Sequence, residues 1–419
     1  MTDLKAVTGL RAKWLDNLTL KASYGEQGNM LDGQMPVLTL SKGSYSSYYD
    51  EYYSKVAGFA NPDLKWEKTH SSNFGLEASL FGRRLMLEGE YFYKKTTDAF
   101  MNKPISDVNG FESYVVNSGT VINKGYSINA TAVPVKTRNF NWMLSASLSK
   151  IMNEMRTAPG KDTYELEDFL NGTAIVKGQP IGTFYSYKFV GLSPVDGGPL
   201  FDDWSDRRAE LDGLSKYDTY TKVLVASGKR EPDMTGSITN TLSYKGWRLG
   251  VTLNYSLGAK TRLFRMMEDF INGYSAELNV NRELLNAWKK PGDELHTNVP
   301  AIMGTSSNGY YYYYNHWSND YASSNPIIAS SAWTMYDYSD LRVVSADYLK
   351  IAYMSLTYEL PKKVLNHFKI NRLAVTLGAT NLHTFCSGKL KGQTPTQGGF
   401  SEVQLSDTPT YTVGLNLNF

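Results

Sequence analysis

The fold of this chain is decided by its last nine residues, YTVGLNLNF, which run from Tyr411 to Phe419. Odd-numbered positions there are apolar or aromatic, and even-numbered positions are small or polar. This period of two predicts a β-strand with one apolar and one polar face. Such a strand at a free edge invites pairing with other chains, so a soluble protein seldom ends on one. A strand of a closed barrel and an ordinary sandwich strand both fit these residues.

In a closed membrane barrel the last strand pairs with the first, so that no edge remains open to lipid. The terminal Phe419, behind alternating apolar residues, also resembles the C-terminal signal by which outer-membrane barrels are recognised for assembly. In the barrel interpretation the polar residues of the strand face the lumen. The residues expected to face lipid are Tyr411, Val413, Leu415, Leu417 and Phe419.

Composition excludes several classes of protein. Charged residues make up 20% and hydrophobic residues 42% of the 419-residue chain, which indicates neither disorder nor a helical membrane bundle. The formal net charge is +2 without a basic block, so no nucleic-acid partner is expected. The single cysteine, Cys386, excludes an internal disulfide and a cysteine-rich metal site. The 30 tyrosines and 35 glycines suit strands, turns, interfacial aromatic girdles or glycan-stacking loops.

Alternating stretches recur along the chain and give about eleven strand candidates, several long enough for a tilted membrane-spanning strand. Besides the terminal strand they cover residues 18–24, 74–80, 85–93, 126–132, 142–148, 238–244, 247–257, 352–358 and 373–379. Their polar faces would line either a lumen or the outside of a soluble sandwich, and alternation alone does not distinguish these.

The connections between the strand candidates do distinguish a barrel from a soluble sandwich. Residues 82–84 and 245–246 predict tight hairpin turns, whereas residues 29–68, 95–119, 153–180 and 260–345 predict long loops. Short turns at one end and long loops at the other are typical of outer-membrane barrels and rare in compact soluble domains. We therefore predict an all-β, antiparallel transmembrane barrel with long external loops. Helical spacing around Met267 and Leu284 predicts short helices in the last of these loops.

An aromatic run in that loop is the best candidate for ligand binding. Aromatic faces stack on the C–H faces of sugar rings, and a tyrosine hydroxyl adds a hydrogen bond at low entropic cost. Alternatively, these rings pack beneath a long external loop or meet a partner protein. The candidate residues are Tyr310, Tyr311, Tyr312, Tyr313, Tyr314, Trp317 and Trp333.

No enzyme motif or metal-ligand spacing rises above chance, so we predict no catalytic residues and no cofactor. The acidic residues Asp196, Asp202, Asp203 and Asp206 could in principle offer carboxylates to calcium, but the EF-hand spacing is missing and a solvated turn is favoured. On the strands, Glu77, Glu88, Glu90 and Lys94 share polar faces. They would form cross-strand ion pairs or a lumen wall that contacts a plug or steers substrate.

Six further stretches, in order along the chain, resemble the SusC-like family of TonB-dependent transporters. Each is a weak match alone, but together they reach from about residue 18 to the terminal strand. They are residues 20–29 (LKASYGEQGN), 61–69 (NPDLKWEKT) followed by 73–77 (NFGLE), 178–185 (GQPIGTFY) with 191–192 (GL), 288–293 (WKKPGD), 347–351 (DYLKI) and 360–363 (LPKK).

The resemblance implies a 22-stranded barrel plugged by an N-terminal domain. Residues 1–419 would be the C-terminal portion of that barrel, without a signal peptide, a TonB-contacting segment or a plug, and the terminal strand would close against sequence outside this chain. Such a fragment alone would leave two open edges and should not insert as a functional transporter. The family also implies an outer-membrane location in a Gram-negative bacterium, a SusD-like surface lipoprotein partner, energy through TonB, and an oligosaccharide or peptide substrate.

Two other classes remain open from the residues themselves. One is a soluble all-β protein that binds glycans or has a structural role. The other is an outer-membrane barrel enzyme, which would need a nucleophile and a base near one rim, and no convincing pair is visible in the sequence.

Overall fold

A computed structural model describes residues 2–3, 12–30, 37–58, 60–104, 113–157, 164–267, 279–320, 331–366, 370–397 and 406–418. Its main feature is an eleven-stranded sheet in which every neighbouring pair is antiparallel. Its strands, in spatial order, are β1 (Thr2–Asp3), β2 (Leu15–Asn29), β5 (Glu67–Leu80), β6 (Leu85–Pro104), β7 (Ser113–Lys136), β8 (Phe140–Met155), β13 (Met234–Tyr244), β14 (Trp247–Leu257), β17 (Tyr348–Glu359), β18 (Arg372–Cys386) and β19 (Thr410–Asn418).

The spatial order follows the chain, because each long connection returns to the neighbouring position. Four small two-stranded sheets lie within these connections: β3 (Thr39–Ser46) with β4 (Glu51–Gly58), β9 (Thr183–Ser186) with β12 (Val225–Lys229), β10 (Phe189–Leu192) with β11 (Pro199–Phe201), and β15 (Lys260–Arg262) with β16 (Val343–Ser345). The helices are α1 (Leu166–Asn171), α2 (Lys216–Val223), α3 (Asn308–Tyr314), α4 (Ala332–Asp337) and α5 (Lys362–Leu365). None of the helices described is long and apolar enough to cross a membrane.

The predicted tight turns are confirmed at one end of the sheet. Lys245 and Gly246 join β13 to β14 with φ values of 44° and 89°, the paired left-handed conformation of a two-residue hairpin turn. Residues 81–84 join β5 to β6, and Phe81, Gly82 and Arg83 likewise have positive φ. The three longest connections between neighbouring strands, residues 30–66, 156–233 and 258–347, lie at the opposite end, so the predicted asymmetry between short turns and long loops is confirmed.

The predicted loop between residues 95 and 119 is wrong. Strand β6 continues to Pro104 and β7 already begins at Ser113, and the two remain paired beyond the alternating stretch. The alternation ends earlier because the ladder shifts register between Thr96 and Ala99, where Asp98 has a φ of 56°. This bulge hides the continued strand from a search for period-two patterns.

The terminal strand is confirmed as β19, paired to β18 with Val413 opposite Leu377 and Leu415 opposite Val375. Its apolar residues therefore share one face with those of β18. Within the described residues β19 has no neighbour other than β18, and β1 has none other than β2. Phe419 lies outside the described residues.

Candidate functional site

The sheet places apolar and polar side chains in alternate rows, where a row is the set of residues directly opposite one another on successive strands. This arrangement is expected when alternating strands pair in register. One row crosses nine strands with only apolar residues or glycine: Leu20, Leu76, Gly89, Ile128, Leu148, Gly236, Tyr255, Leu349 and Phe385. The adjacent row is polar on all nine: Thr19, Glu77, Glu88, Asn129, Ser147, Ser237, Asn254, Lys350 and Thr384. These nine strands therefore share one apolar and one polar face.

Aromatic residues border the apolar face. At the short-turn end, Phe140, Tyr244, Trp247 and Tyr358 form one row across four strands, and the rings of Trp247 and Tyr358 lie 4.4 Å apart. Near the other end, Phe74, Tyr91 and Tyr126 are opposite one another on three strands. An apolar band between two aromatic borders is the surface that outer-membrane barrels present to lipid.

The polar face carries the charged residues noted in the sequence. Lys21 donates to the carboxylate of Glu77 on the neighbouring strand, and Glu77 is directly opposite Glu88. Asn129 donates to Glu88 over 3.4 Å, and the hydroxyls of Ser147 and Ser237 lie 2.9 Å apart. Cross-strand hydrogen bonds thus hold these side chains in place along the wall.

A compact unit, here called the cap, covers the long-loop end. It is built from residues 164–233, between β8 and β13, and from the described residues 259–267, 279–320 and 331–345, between β14 and β17. Its buried core is rich in aromatic side chains and includes Phe169, Tyr185, Phe201, Tyr220, Tyr313, Trp317, Trp333 and Tyr336. The cap leans over the polar face, because Asn153 of β8 accepts a 3.0 Å hydrogen bond from the backbone of Ile181. A cavity of about 390 Å³ remains between Ile181, Pro232 and the polar-face residues Ser149 and Thr235.

One arginine connects the two segments of the cap. Arg262 is buried and donates to the carbonyl oxygens of Leu170, Tyr185 and Ser339 at 2.9–3.2 Å, and to the hydroxyl of Ser186 at 3.0 Å. Burial disfavours its charged form and lowers the pKa of the guanidinium to about 10. The planar fork of arginine suits this role, because a lysine could not reach four acceptors at once.

The aromatic run predicted to bind ligand divides into two groups. Tyr313, Trp317 and Trp333 are buried in the cap core, and the ring of Tyr310 stacks on Trp333 at 4.7 Å. Tyr311, Tyr312 and Tyr314 point outward, with 52%, 63% and 38% of their surface exposed. Contact of these residues with a ligand stays a prediction, and the three exposed rings are the ones with faces open to receive it.

Three of the four acidic residues considered for calcium, Asp196, Asp202 and Asp203, are engaged by protein donors. The carboxylate of Asp196 accepts from the hydroxyl of Tyr313 at 2.8 Å, and burial raises the pKa of that hydroxyl to about 12. Asp202 binds Arg207 at 2.6 Å. Across the described ranges, no group of three or more histidine, cysteine, aspartate or glutamate side chains is placed to hold a metal.

Asp203 has the largest set of donors among these carboxylates. It accepts from the backbone and hydroxyl of Ser205, at 2.8 and 2.6 Å, and from Nε2 of His316 at 2.8 Å. Partial burial by itself would raise the pKa of this carboxyl. The hydrogen bonds from Ser205 and His316 outweigh that effect, so the pKa is lowered.

Two features of the long-loop end were missed from sequence. The first is Arg262, whose acceptors come from distant segments and leave no local pattern. The second is the β3–β4 hairpin, where Tyr48 and Tyr49 at the tip are 86% and 74% exposed. Its tyrosine- and serine-rich composition could have been noticed, because binding loops use the same residue types.

The two-faced antiparallel sheet, its aromatic borders and its cap define the wall of an outer-membrane-type barrel. The family of "TonB dependent receptor-like, beta-barrel" proteins matches residues 7–281, and the chain belongs to this family. This confirms the resemblance to SusC-like TonB-dependent transporters that the sequence motifs indicated.

Curated relatives agree with this assignment. The TonB-dependent receptor P3 of Formosa agariphila is 25% identical over 430 residues, which is 95% of this chain and 39% of the relative. The TonB-dependent receptor SusC of Bacteroides thetaiotaomicron is 26% identical over 261 residues, or 58% of this chain and 25% of the relative. The chain thus spans about two fifths of the length of the first relative.

Among solved structures, the RagAB peptide importer in its "closed-closed" state matches with a TM-score of 0.76 and 25% identity. The match covers the whole of this chain and 42% of the importer chain. The relatives found are transporters and receptors rather than enzymes, which favours transport over the enzyme alternative.

Proposed function

We propose that this chain forms part of the wall and external loops of an outer-membrane transporter for oligosaccharides or peptides. A SusD-like surface lipoprotein would deliver the substrate at the cap end, and TonB would supply the energy through the plug of the complete transporter. The support from relatives is the family itself, SusC among the curated proteins and a peptide importer among the solved structures.

The observation that carries this proposal is the division of the sheet into an apolar and a polar face, with few polar residues such as Asn240 on the apolar side. From Trp247 to Leu257, one strand carries apolar residues at every second position. These ten residue steps amount to about 33 Å along a strand. At a strand tilt of about 40° they span roughly 25 Å along the barrel axis, which equals the height of the lipid-facing band of known barrels. The apolar face, including Tyr411, Val413, Leu415 and Leu417, would contact lipid.

The polar face would then line the interior. Its hydroxyls, amides and paired charges suit a water-filled or plugged lumen, where such groups remain hydrated or hydrogen-bonded. The cap above it would form the roof of the substrate cavity. Exposed rings on the cap, namely Tyr311, Tyr312 and Tyr314, are proposed to contact the substrate or the lipoprotein.

Uptake by cells tests the proposed activity. Cells that express the protein from its own locus, a strain with the locus deleted and a strain without TonB would receive radiolabelled oligosaccharides or peptides. Uptake should depend on both the locus and TonB, and a surface lipoprotein should copurify with the detergent-extracted protein. Equal uptake in all three strains would refute the transport proposal.

Fractionation tests the soluble alternative. A barrel wall requires detergent for extraction from the outer-membrane fraction, because its apolar face is exposed to lipid. Recovery of the protein in the aqueous fraction without detergent would instead support a soluble all-β protein.

A further inference from the structure

A deep cleft lies at the cap end, apart from the aromatic run. It lies between the β15–β16 pair, residues 283–299 and the turn that follows β18. Its volume is about 920 Å³, which is within the range of sites that hold ligands of several rings or residues. Leu263, Val299 and Val344 contribute apolar surface, and Asn286, Asn298 and Ser387 contribute polar groups. This combination of apolar surface and a few polar groups is typical of binding sites for small molecules.

The charges that line this cleft do not balance. Four cationic side chains line it, namely Lys260, Arg342, Lys389 and Lys391, together with the imidazole of His296. Among the described residues, the carboxylates that line it are Glu283 and Asp340. The lining therefore carries a formal excess of two positive charges when the imidazole is neutral.

Both carboxylates are already neutralised by cations. Glu283 accepts from Arg342 at 2.8 Å in a largely buried pair, and Lys391 lies 3.3 Å from its other oxygen. Asp340 accepts from Lys188 at 2.7 Å and from the backbone of Phe189 at 3.0 Å. Neither carboxylate is available to a cationic ligand.

Two cationic side chains of the cleft lining remain to pair with an anionic ligand. Within the described part of the chain, neither Lys260 nor Lys389 forms an ion pair with a carboxylate. Lys260 is half-buried and Lys389 is exposed, and both line the cleft. Low-dielectric walls strengthen the field of such charges inside a cleft. An entering anion would gain their attraction and would meet no unpaired carboxylate.

We propose that this cleft binds a carboxylate group of the transported substrate, with Lys260 and Lys389 as its charge partners. The inference rests on the transport proposal and narrows it to an acidic substrate. Acidic oligosaccharides and acidic peptides both carry such groups, and the following measurements distinguish them.

Binding would be measured by calorimetry on the detergent-extracted protein from its own locus, with its copurifying partners. The probes are tetragalacturonate, tetragalacturonate with its carboxyls methyl-esterified, a glutamate-rich peptide, and the same peptide with amidated side chains. One acidic probe should bind more tightly than its neutral counterpart, and that probe identifies the source of the anion. Its affinity should fall as salt rises, because salt screens exposed charges.

Substitutions then test the two lysines. The double variant K260Q/K389Q should weaken binding of the preferred acidic probe by about tenfold, and should leave its neutral counterpart unchanged. The matched control is Lys363→Gln, an exposed lysine at the short-turn end. It should leave the affinity for both probes unchanged.

Two outcomes would overturn the inference. One is that no acidic probe binds more tightly than its neutral counterpart. The other is that Lys363→Gln weakens binding as much as the double variant does. If uptake depends on the locus and on TonB while no acidic probe binds more tightly than its neutral counterpart, the transport proposal stands and the acidic-substrate inference fails.

Discussion

The hydroxyl of Tyr313 donates a 2.8 Å hydrogen bond to the carboxylate of Asp196, which lies 117 residues earlier in the chain. The bond joins the two halves of the cap, and the Tyr313 ring lies against the backbone at Gly198. A residue first considered for ligand binding thus holds a carboxylate first considered for calcium. Both are parts of one packed interface, and its geometry allows direct tests.

Gly198→Ala should destabilise the cap. A Cβ built at this position would overlap the Tyr313 ring, so the ring or the loop must move. Overpacking of this kind costs about 1–3 kcal/mol. The measurement is the thermal unfolding midpoint of the extracted protein, followed by limited proteolysis of the cap. Gly388→Ala is the control, because nothing lies within 4 Å of its Cβ position. Equal midpoints for the two variants would contradict the packing described.

Trp317→Ala and Tyr312→Ala should affect different properties. Trp317 is 3% exposed, and its ring meets Phe201 at 5.5 Å, so its removal should cost about 3–5 kcal/mol of cap stability. Tyr312 is 63% exposed, so its removal should leave the unfolding midpoint nearly unchanged. Tyr312→Ala should weaken binding of a transported substrate in calorimetry. Unchanged affinity in that variant would remove Tyr312 from the proposed contact surface.

Leu253→Arg should prevent stable insertion, whereas Asn254→Arg should be tolerated. The two residues are adjacent on β14, with Leu253 on the apolar face and Asn254 on the polar face. An arginine facing lipid near mid-height costs about 2–4 kcal/mol, and one facing the lumen remains hydrated. The amount of heat-modifiable, folded protein in the outer-membrane fraction measures the difference. Equal yields would argue that the apolar face does not contact lipid.

Acidification should loosen the cap through Asp203. Folding lowers the pKa of this carboxyl, so the ionised form is favoured in the folded state. The resulting stability is fully present above the usual pKa of about 4, and it is lost as the pH falls through the lower, folded value. Protease resistance of the cap should therefore decline below about pH 4 more steeply in the native protein than in Asp203→Asn. The control is Asp206→Asn, which keeps the hydrogen bonds of Asp203 and should follow the native curve.

The sheet could be predicted from sequence because the patterns that specify its strands and turns are local. Alternation placed the strands, and Lys245-Gly246 and residues 81–84 marked the turns, since each pattern acts within a few residues. Strands β6 and β7 were predicted too short because the bulge near Asp98 interrupts the alternation without ending the pairing.

The cap could not be predicted in the same way. Phe169, Tyr220 and Trp333 have no shared periodicity, and they become a core only when two distant connections pack together. Of the aromatic run, the sequence showed an unusual concentration of rings, but it could not show which of them face solvent. The charges in the cleft come from two separate connections, those between β14 and β17 and between β18 and β19, so their imbalance is visible only in three dimensions.

The position of Arg262 has a consequence for how such proteins diversify. Its acceptors lie on both segments of the cap, at Leu170 and Tyr185 on one and at Ser339 on the other. Recombination that replaced one segment alone would leave the buried Arg262 without part of its acceptors. The aromatic core would then be formed by two segments whose packing surfaces do not match. The two segments are therefore expected to be exchanged together. A lineage that acquires a new substrate by recombination should acquire both together, on a strand scaffold that need not change.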